Sequence, residues 1–283
     1  MKEENEEESM NQAGEETLPL VSIGIVTYNQ KKYLRECIES VLAQDYPNME
    51  IVVGDDASTD GTQEMLRDYE IRYPRRFKMK LAQTNMGIAG NSNAVFFSCR
   101  GKYVHMIAGD DLMLPGTIRK QANFLETHED YTLCGTYTKL INEMGQEIGI
   151  KKDYKKRSNP SYTLYELIES GNSLVPAVSY MFRRDAAPCE GYDYRLPIAS
   201  DGLFMNHVAS KGEIFVLKEI LTAYRVHGSH AKSTNYSSDV LLTHALNEFY
   251  FPECCRAIYR RKSKALTPIF AERFDIRYSS AFH

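Results

Sequence analysis

The alternation of strand and helix patterns over residues 21–111 constrains the fold of this chain more than any other feature. Four β-rich runs are separated by three segments in which apolar residues recur at helical spacing, with the runs at residues 21–26, 51–53, 77–82 and 103–107. Strands that alternate with helices in this way form a parallel sheet with right-handed crossovers. We therefore expect an α/β fold with a mostly parallel central sheet flanked by helices.

Polar residues follow each of these strands. The four strand ends carry Thr27, Tyr28 and Asn29; Asp55, Asp56 and Ser58; Asn85 and Gly87; and Asp110 and Asp111. The carboxyl ends of parallel strands meet at one edge of a sheet, and ligands bind in the crevice outside that edge. Turns are polar in most proteins, so one such cluster would be ordinary. The repetition at four strands favours a ligand site.

The adjacent acids Asp110 and Asp111 indicate what this site would bind. Two neighbouring carboxylates repel each other, and burial strengthens the repulsion, so both stay ionised only beside a cation. Oxygen ligands suit Mg²⁺ or Mn²⁺, which proteins hold with one or two carboxylates and substrate phosphates. Taken alone, an Asp-Asp pair is more often a solvated turn that caps the next helix.

Motifs and composition argue against several other classes. The first turn lacks G-x-G-x-x-G and no G-x-x-x-x-G-K-[ST] occurs, which disfavours a dinucleotide site or a P-loop. The six cysteines are scattered without a C-x-x-C pair, which disfavours zinc and indicates reduced thiols. No apolar run approaches the length of a membrane span, and the acidic start lacks the apolar segment of a signal peptide. We expect a cytoplasmic protein.

Four parts of the chain are distinguished by pattern. Residues 1–17, with seven glutamates against one lysine, are expected to form a disordered acidic tail. Residues 18–112 carry the strand and helix alternation, residues 113–235 a mixture of helices and strands, and residues 236–283 a helical extension.

Several individual elements are also expected. A helix should begin at Asp60, which has the spacing of a capping box with Gln63. We further expect a hairpin turn at 142–145, a strand at 177–182 and one or two strands at 213–226.

Several motifs, in order, resemble those of the inverting family-2 glycosyltransferases of the GT-A fold. The resemblance covers residues 20–230 and rests on Thr27-Tyr28-Asn29, the 53–61 segment, Asn85-x-Gly87 with Asn93, Asp110-Asp111, Ser200-Asp201 and Tyr224-Arg225-x-His227. Ala57 stands where the family usually has glycine. Ala108 stands where it has the first acid of its metal-binding D-x-D, which leaves Asp110 and Asp111 as the pair. No single motif is specific, but their shared order is.

The resemblance implies a role for each matched residue. Asp201 would be the catalytic base, and Asp110, Asp111 and His227 would hold Mn²⁺ or Mg²⁺. Asp56 would accept from a base edge such as uracil N3–H. The rest of the nucleotide site would be Thr27, Tyr28, Asn29, Asp55, Ser58, Asn85, Gly87, Asn93 and Asp110. Without the resemblance, Asp201 would be interpreted as a helix N-cap and His227 as an ordinary surface histidine.

The implied activity is that of a hexosyltransferase for surface polysaccharide synthesis. A nucleotide-sugar donor, UDP-linked by expectation, would bind residues 18–112, and a glycan or lipid-linked acceptor would bind residues 113–235. Two alternatives stay open: a nucleotidyltransferase, although its basic signature near the first strand is missing, and a nucleotide-sugar-binding protein of the same fold without turnover. No nucleic acid partner is expected.

A basic segment near the C-terminus suggests one further partner. Arginines and lysines are interleaved with Ile258 and Tyr259, at positions 256, 260, 261, 262 and 264. Such a helix could make weak peripheral contact with the inner face of an anionic membrane, where a lipid-linked acceptor would be presented. A solvated helix face is the commoner explanation.

Overall fold

The computed structural model describes residues 18–151, 160–170, 174–194 and 200–227. In the described residues the strands are β1 Val21–Thr27, β2 Met49–Asp55, β3 Phe77–Leu81, β4 Tyr103–Ala108, β5 Leu112–Met113, β6 Tyr131–Ile141, β7 Glu147–Lys151, β8 Ser161–Tyr162, β9 Met181–Arg183 and β10 Glu213–Arg225. The helices are α1 Lys31–Leu42, α2 Thr62–Arg72, α3 Gly87–Phe96, α4 Thr117–Thr127, α5 Leu164–Glu169 and α6 Ser200–Ala209, with 3₁₀ turns at Ala177–Ser179 and Arg184–Ala186.

The strands form one sheet in the order β3-β2-β1-β4-β9-β6-β10-β5, with β7 paired to β6 and β8 to β10. The pairs β3-β2, β2-β1 and β1-β4 are all parallel, as the alternation of strands and helices predicted. Beyond β4 the sheet becomes mixed, because β9 runs antiparallel to both β4 and β6 while β6 and β10 are parallel. The α/β class is confirmed, and the parallel character is confined largely to the first half.

Helices cover both faces of this sheet. On one face, Ile23, Ile51 and Ile107 pack with α1, α2 and α4, and on the other Val52 and Met106 pack with α3 and α6. Alternate residues of the same strands thus pack into two different cores, which is why the sequences of these strands are continuously apolar. The sheet is therefore buried on both faces, and its carboxyl-end edge remains for binding.

Two glycines let α3 approach the sheet closely. A Cβ at Gly24 would collide with the side chains of Met106 and Val95, and one at Gly54 would collide with Asn91 and Val95. Neither position has a strained backbone, so the requirement is for space alone. This close packing brings the polar face of α3 to the ends of β1 and β2.

Some sequence expectations were wrong in detail. Helix α2 begins at Thr62, after Gly61 in the left-handed conformation, so the capping box of Asp60 with Gln63 does not form. Asp60 instead accepts from the backbone of Thr62 and from the Lys31 N–H at the start of α1. The expected strand at 177–182 is a 3₁₀ turn followed by β9. By contrast, the expectation of one or two strands at 213–226 is confirmed by the single long strand β10.

The acidic tail and the basic C-terminal segment lie outside the described residues. The membrane contact of that segment therefore stays a prediction. Among the described helices, none combines the length and apolar character needed to cross a bilayer.

Candidate active site

A cavity of about 480 Å³ opens at the carboxyl ends of the strands. Its size falls in the range of small-molecule sites in proteins. The lining comes from the ends of β1, β2, β4 and β10 and from the start of α3: Val26, Thr27, Tyr28, Gln30, Asp56, Asn85, Gly87, Ile88, Asn91, Ala108, Asp110, Asp111 and Tyr224. Seven of the residues that the sequence predicted for the site are among them, so the strand ends do converge on one crevice.

The Asp110-Asp111 turn is nearly inaccessible to solvent. The two residues are 5% and 3% exposed, and the Asp111 N–H donates to the Ala108 carbonyl at 3.1 Å. Burial, and then the charge of Asp110, raise the pKa of Asp111 well above its ordinary value. A pair of carboxylates in this setting is expected to attract a cation or to retain a proton.

Arg225 holds this turn in place through hydrogen bonds. Its side chain is 1% exposed, its N–H donates to Asp111 Oδ1 at 2.9 Å and its Nε donates to the Asp110 carbonyl at 2.9 Å. The guanidinium also donates to Glu36 at 2.5 Å and to the carbonyl of Asn142 at 3.2 Å. Arg225 therefore holds the turn in place from within the protein.

His227 lies directly on the acid pair. Its Nε2 is 2.8 Å from Asp110 Oδ2, and its ring stacks on Tyr33 with centroids 4.9 Å apart. Tyr33 also contacts the Arg225 guanidinium, 4.9 Å from its ring centroid. Helix α1 thus contributes two residues that sequence reasoning missed, Tyr33 and Glu36. Their i, i+3 spacing places them on one helix face, a signal that the sequence did contain.

The opposite wall is built around Asp56. Its carboxylate accepts from the backbone N–H groups of Met86 at 2.7 Å and Gly87 at 2.9 Å, at the beginning of α3. These bonds fix the carboxylate at the cavity wall, and each oxygen retains a further lone pair. Thr27 is buried below it, and Tyr28 is about half exposed at the rim. The arrangement suits a planar group with an N–H donor.

Three predicted site residues support this wall from outside the lining. The Asn29 N–H donates to Ser58 Oγ at 2.8 Å, and Asn29 Oδ1 accepts from Thr59. Asp55 Oδ2 accepts from the Ser58 N–H and from Gln63. They join the turn after β1 to the turn after β2, so their part in the site is to hold these turns in place.

The structure brings Asn91 to the cavity and places Asn93 elsewhere. The Asn91 amide nitrogen donates to the carbonyls of Thr27 and Gly54, whereas Asn93 is paired with both backbone groups of Tyr192. Asn91 lies one helical turn after Gly87, so it shares the cavity-facing side of α3, and Asn93 does not. That spacing is the signal that sequence reasoning missed.

Asp201 lies in the first turn of α6, where it accepts from the Gly202 N–H at 2.8 Å. The residue has an exposed surface, yet desolvation of its carboxyl group by the surrounding protein raises the pKa of Asp201. Asp201 is not part of the cavity lining. Its charge nevertheless acts on Tyr224: burial first, and then the carboxylates of Asp111, Asp110 and Asp201, raise the pKa of the Tyr224 phenol. All three acids thus lie within electrostatic reach of one lining residue.

The donor chemistry at the acid pair fits a hard divalent cation in part. Asp110, Asp111 and His227 offer oxygen and nitrogen ligands close together. No group of three or more such side chains among the described residues is arranged to hold a metal by itself. Mg²⁺ and Mn²⁺ sites often use one or two carboxylates, with substrate phosphates completing the coordination. The residues present fit such a shared site.

Comparison with known proteins finds one matching family model and several related sequences. The model of the family described as Glycosyl transferase family 2 matches residues 22–188. An uncharacterized protein of Mycobacterium tuberculosis is 30% identical over 210 residues, which are 73% of this chain and 59% of that protein. The putative glycosyltransferase EpsE of Bacillus subtilis is 39% identical over 127 residues, 45% of this chain and 46% of EpsE. The chain thus spans less than two thirds of these relatives.

Solved structures show the same fold. The crystal structure of S. aureus TarS 1-349 in complex with UDP-GlcNAc aligns with a TM-score of 0.63 at 22% identity, covering 81% of this chain and 66% of that one. This likeness supports the GT-A architecture that the sequence predicted. The family model covers more than half of the chain, including the first four strands and the acid pair, and on that basis the chain belongs to glycosyl transferase family 2.

Proposed function

We propose that this chain is an inverting glycosyltransferase that moves a sugar from a UDP-linked donor to a hydroxyl of a glycan or lipid-linked acceptor in surface polysaccharide synthesis. One observation carries the proposal most. The buried Asp110-Asp111 pair and Asp56, whose carboxylate is fixed by the start of α3, line one cavity at the carboxyl ends of the strands. A pair of carboxylates that can share a divalent ion with a diphosphate, and an acceptor for a base N–H, are what a nucleotide-sugar donor requires.

Different residues of the chain would bind the nucleoside and the diphosphate of the donor. Asp56, Thr27 and Tyr28 would hold the nucleoside, with Asp56 accepting from a base N–H. Asp110 and Asp111, with His227, would hold the divalent ion, which when bound neutralises the charge of the departing diphosphate. Structurally similar proteins support this class of donor, since one structure of S. aureus TarS is a complex with UDP-GlcNAc and that of a Pyrobaculum calidifontis mannosyltransferase is a complex with GDP-Man and Mn²⁺.

Asp201 would take the proton from the attacking acceptor hydroxyl. Its raised pKa makes the carboxylate a stronger base than an ordinary aspartate, which favours proton transfer near neutral pH. Attack from the face opposite the diphosphate inverts the anomeric carbon. Because the base acts only when ionised, the rate should fall as pH drops through the pKa of Asp201.

Replacing Asp201 with Asn tests the assignment of the base. Asp201→Asn should lower kcat by roughly 10²–10⁴-fold, the usual contribution of a general base, while donor binding is retained. The measurement is release of nucleoside diphosphate from a panel of UDP- and GDP-sugars with Mn²⁺ or Mg²⁺, with and without chelator, alongside calorimetric titration of the donor. Asp185→Asn serves as the matched control, because Asp185 is an exposed aspartate outside the cavity lining.

Each result has a distinct meaning. Full turnover by Asp201→Asn would show that another group is the base. Donor binding without turnover in the unaltered chain, across the acceptors tried, would favour a nucleotide-sugar-binding protein of this fold.

A further inference from the structure

The candidate site has a deficit of positive charge. Its lining carries the carboxylates of Asp56, Asp110 and Asp111, and the described lining residues include no lysine or arginine. Arg225 is adjacent, but its Nε and both terminal nitrogens already donate to protein oxygens. A diphosphate bound here would meet acids on its protein side. A cation with unused donors would therefore strengthen its binding.

Lys151 supplies such a cation from the next strands of the sheet. It is the last residue of β7 and pairs with Thr138 of β6. Thr138 in turn pairs with Thr222 of β10, two residues before Tyr224. Side chains two residues apart on a strand share a face, so Lys151 and Tyr224 lie on the same face of the sheet. The Lys151 Nζ is 5.3 Å from the centroid of the Tyr224 ring.

The ammonium group lies against the cavity wall, because Tyr224, whose ring it contacts, is one of the lining residues. Within the described part of the chain, Lys151 makes no hydrogen bond or ion pair with its Nζ. As far as the described residues are concerned, its three N–H groups are available to an anion.

The hairpin that carries Lys151 is fixed next to the site. Its turn is held by an ion pair between Lys32 and Glu143 at 3.1 Å, and by the Arg225 guanidinium on the carbonyls of Asn142 and Glu143. Both anchors come from elements that also contact the acid pair or its support. The position of β7 relative to the cavity is thus set by the fold.

We propose that Lys151 binds the diphosphate of the nucleotide-sugar donor, on the side of the cavity formed by Tyr224. The inference rests on the proposed function and adds a residue to it. The Nζ donates hydrogen bonds to phosphate oxygens and places a positive charge opposite Asp111. Because the contact is with phosphate, it strengthens binding of a nucleoside diphosphate and leaves binding of the nucleoside unchanged.

Calorimetric titration of UDP, GDP and uridine into the full chain, with Mg²⁺ present, tests this proposal. Lys151→Met should weaken binding of the diphosphate roughly tenfold to hundredfold, as loss of a hydrogen bond to a charged group does, with uridine affinity unchanged. Lys151→Arg should restore most of the affinity and its dependence on salt. Lys80→Met is the control, because Lys80 is an exposed lysine on β3 outside the cavity lining.

Equal affinities of Lys151→Met and the unaltered chain for UDP and GDP would overturn the proposal while leaving the proposed function intact. A loss of uridine binding in parallel would mean that Lys151 supports the structure only, and would also overturn it. If the unaltered chain bound neither UDP nor GDP, the proposed function itself would fail, and this inference with it.

Discussion

At the residue scale, one departure from the family pattern places an alanine in an unfavourable backbone conformation. Ala57 has a φ of 63°, in the left-handed region that L residues other than Asn and Asp seldom adopt. The family's usual glycine would adopt it without penalty. Asn29 has a φ of 51° in the adjoining turn, and its side chain is secured by the Thr59 N–H. Asn29 is thus a residue type that tolerates the left-handed conformation, whereas Ala57 is not.

Ala57→Gly should stabilise the protein. Relief of the left-handed strain of about 1–2 kcal/mol exceeds the added entropy cost of glycine, for a net gain of about 0.5–1 kcal/mol in the free energy of unfolding. Urea denaturation measures it. The same change at Ala94, in the interior of α3, should instead cost about 1 kcal/mol. A loss of stability in Ala57→Gly would show that the alanine methyl makes a contact that matters more than strain.

At the scale of elements, the packing of α3 on β1 and β2 determines the shape of the nucleotide wall. Asn91 reaches the carbonyls of Thr27 and Gly54 only because Gly54 leaves room for its amide. The same helix presents the N–H groups of its first turn to Asp56. One contact between helix and sheet thus connects core packing with the candidate site.

Gly54→Ala should therefore affect both stability and binding. The new methyl would collide with Asn91 and Val95, which we expect to cost about 1–3 kcal/mol of stability, as overpacking does. Displacement of α3 should also weaken UDP binding, measured by calorimetry beside the denaturation curve. Gly149→Ala is the control, since a Cβ there meets only Leu140, at an ordinary 3.6 Å. Unchanged stability and affinity in Gly54→Ala would refute this view of the packing.

At the scale of the whole molecule, a buried glutamate ties the amino-end edge of the sheet together. Glu50 is 3% exposed and accepts from Ser22, Lys78 and Arg100. Burial alone would raise the pKa of Glu50, but these hydrogen bonds outweigh it and lower the pKa to about 2. The network lies at the opposite end of the strands from the candidate site, so it bears on stability alone.

This predicts a particular loss of stability in acid. With the folded pKa near 2 and an ordinary value of 4.5, the stabilisation is complete above about pH 4.5 and is lost as pH falls towards 2. Glu50→Gln should lower the free energy of unfolding at pH 7 by about 2 kcal/mol and flatten this acid limb. Urea denaturation between pH 3 and 7 measures both effects. The exposed Glu129→Gln should keep the original pH profile, and a Glu50→Gln variant that also kept it would contradict the assignment.

The sequence by itself determined the α/β class, the parallel first half of the sheet and the edge at which polar residues gather. These features depend on local periodicity and on the direction of the strands, which a single chain displays directly. The acids Asp110 and Asp111 were found for the same reason, since only Gly109 separates them from the end of β4.

Only the tertiary structure decided which side chains face the cavity and which support it. It selected Asn91 over Asn93, turned Arg225 inward, and joined Arg225 to Glu36 across 189 positions of sequence. Likewise, it placed Lys151 against the ring of Tyr224 by pairing β10 with the hairpin of β6 and β7. The physical reason is that spacing along the chain fixes the face of an element, whereas the partners of that face come from elsewhere in the fold.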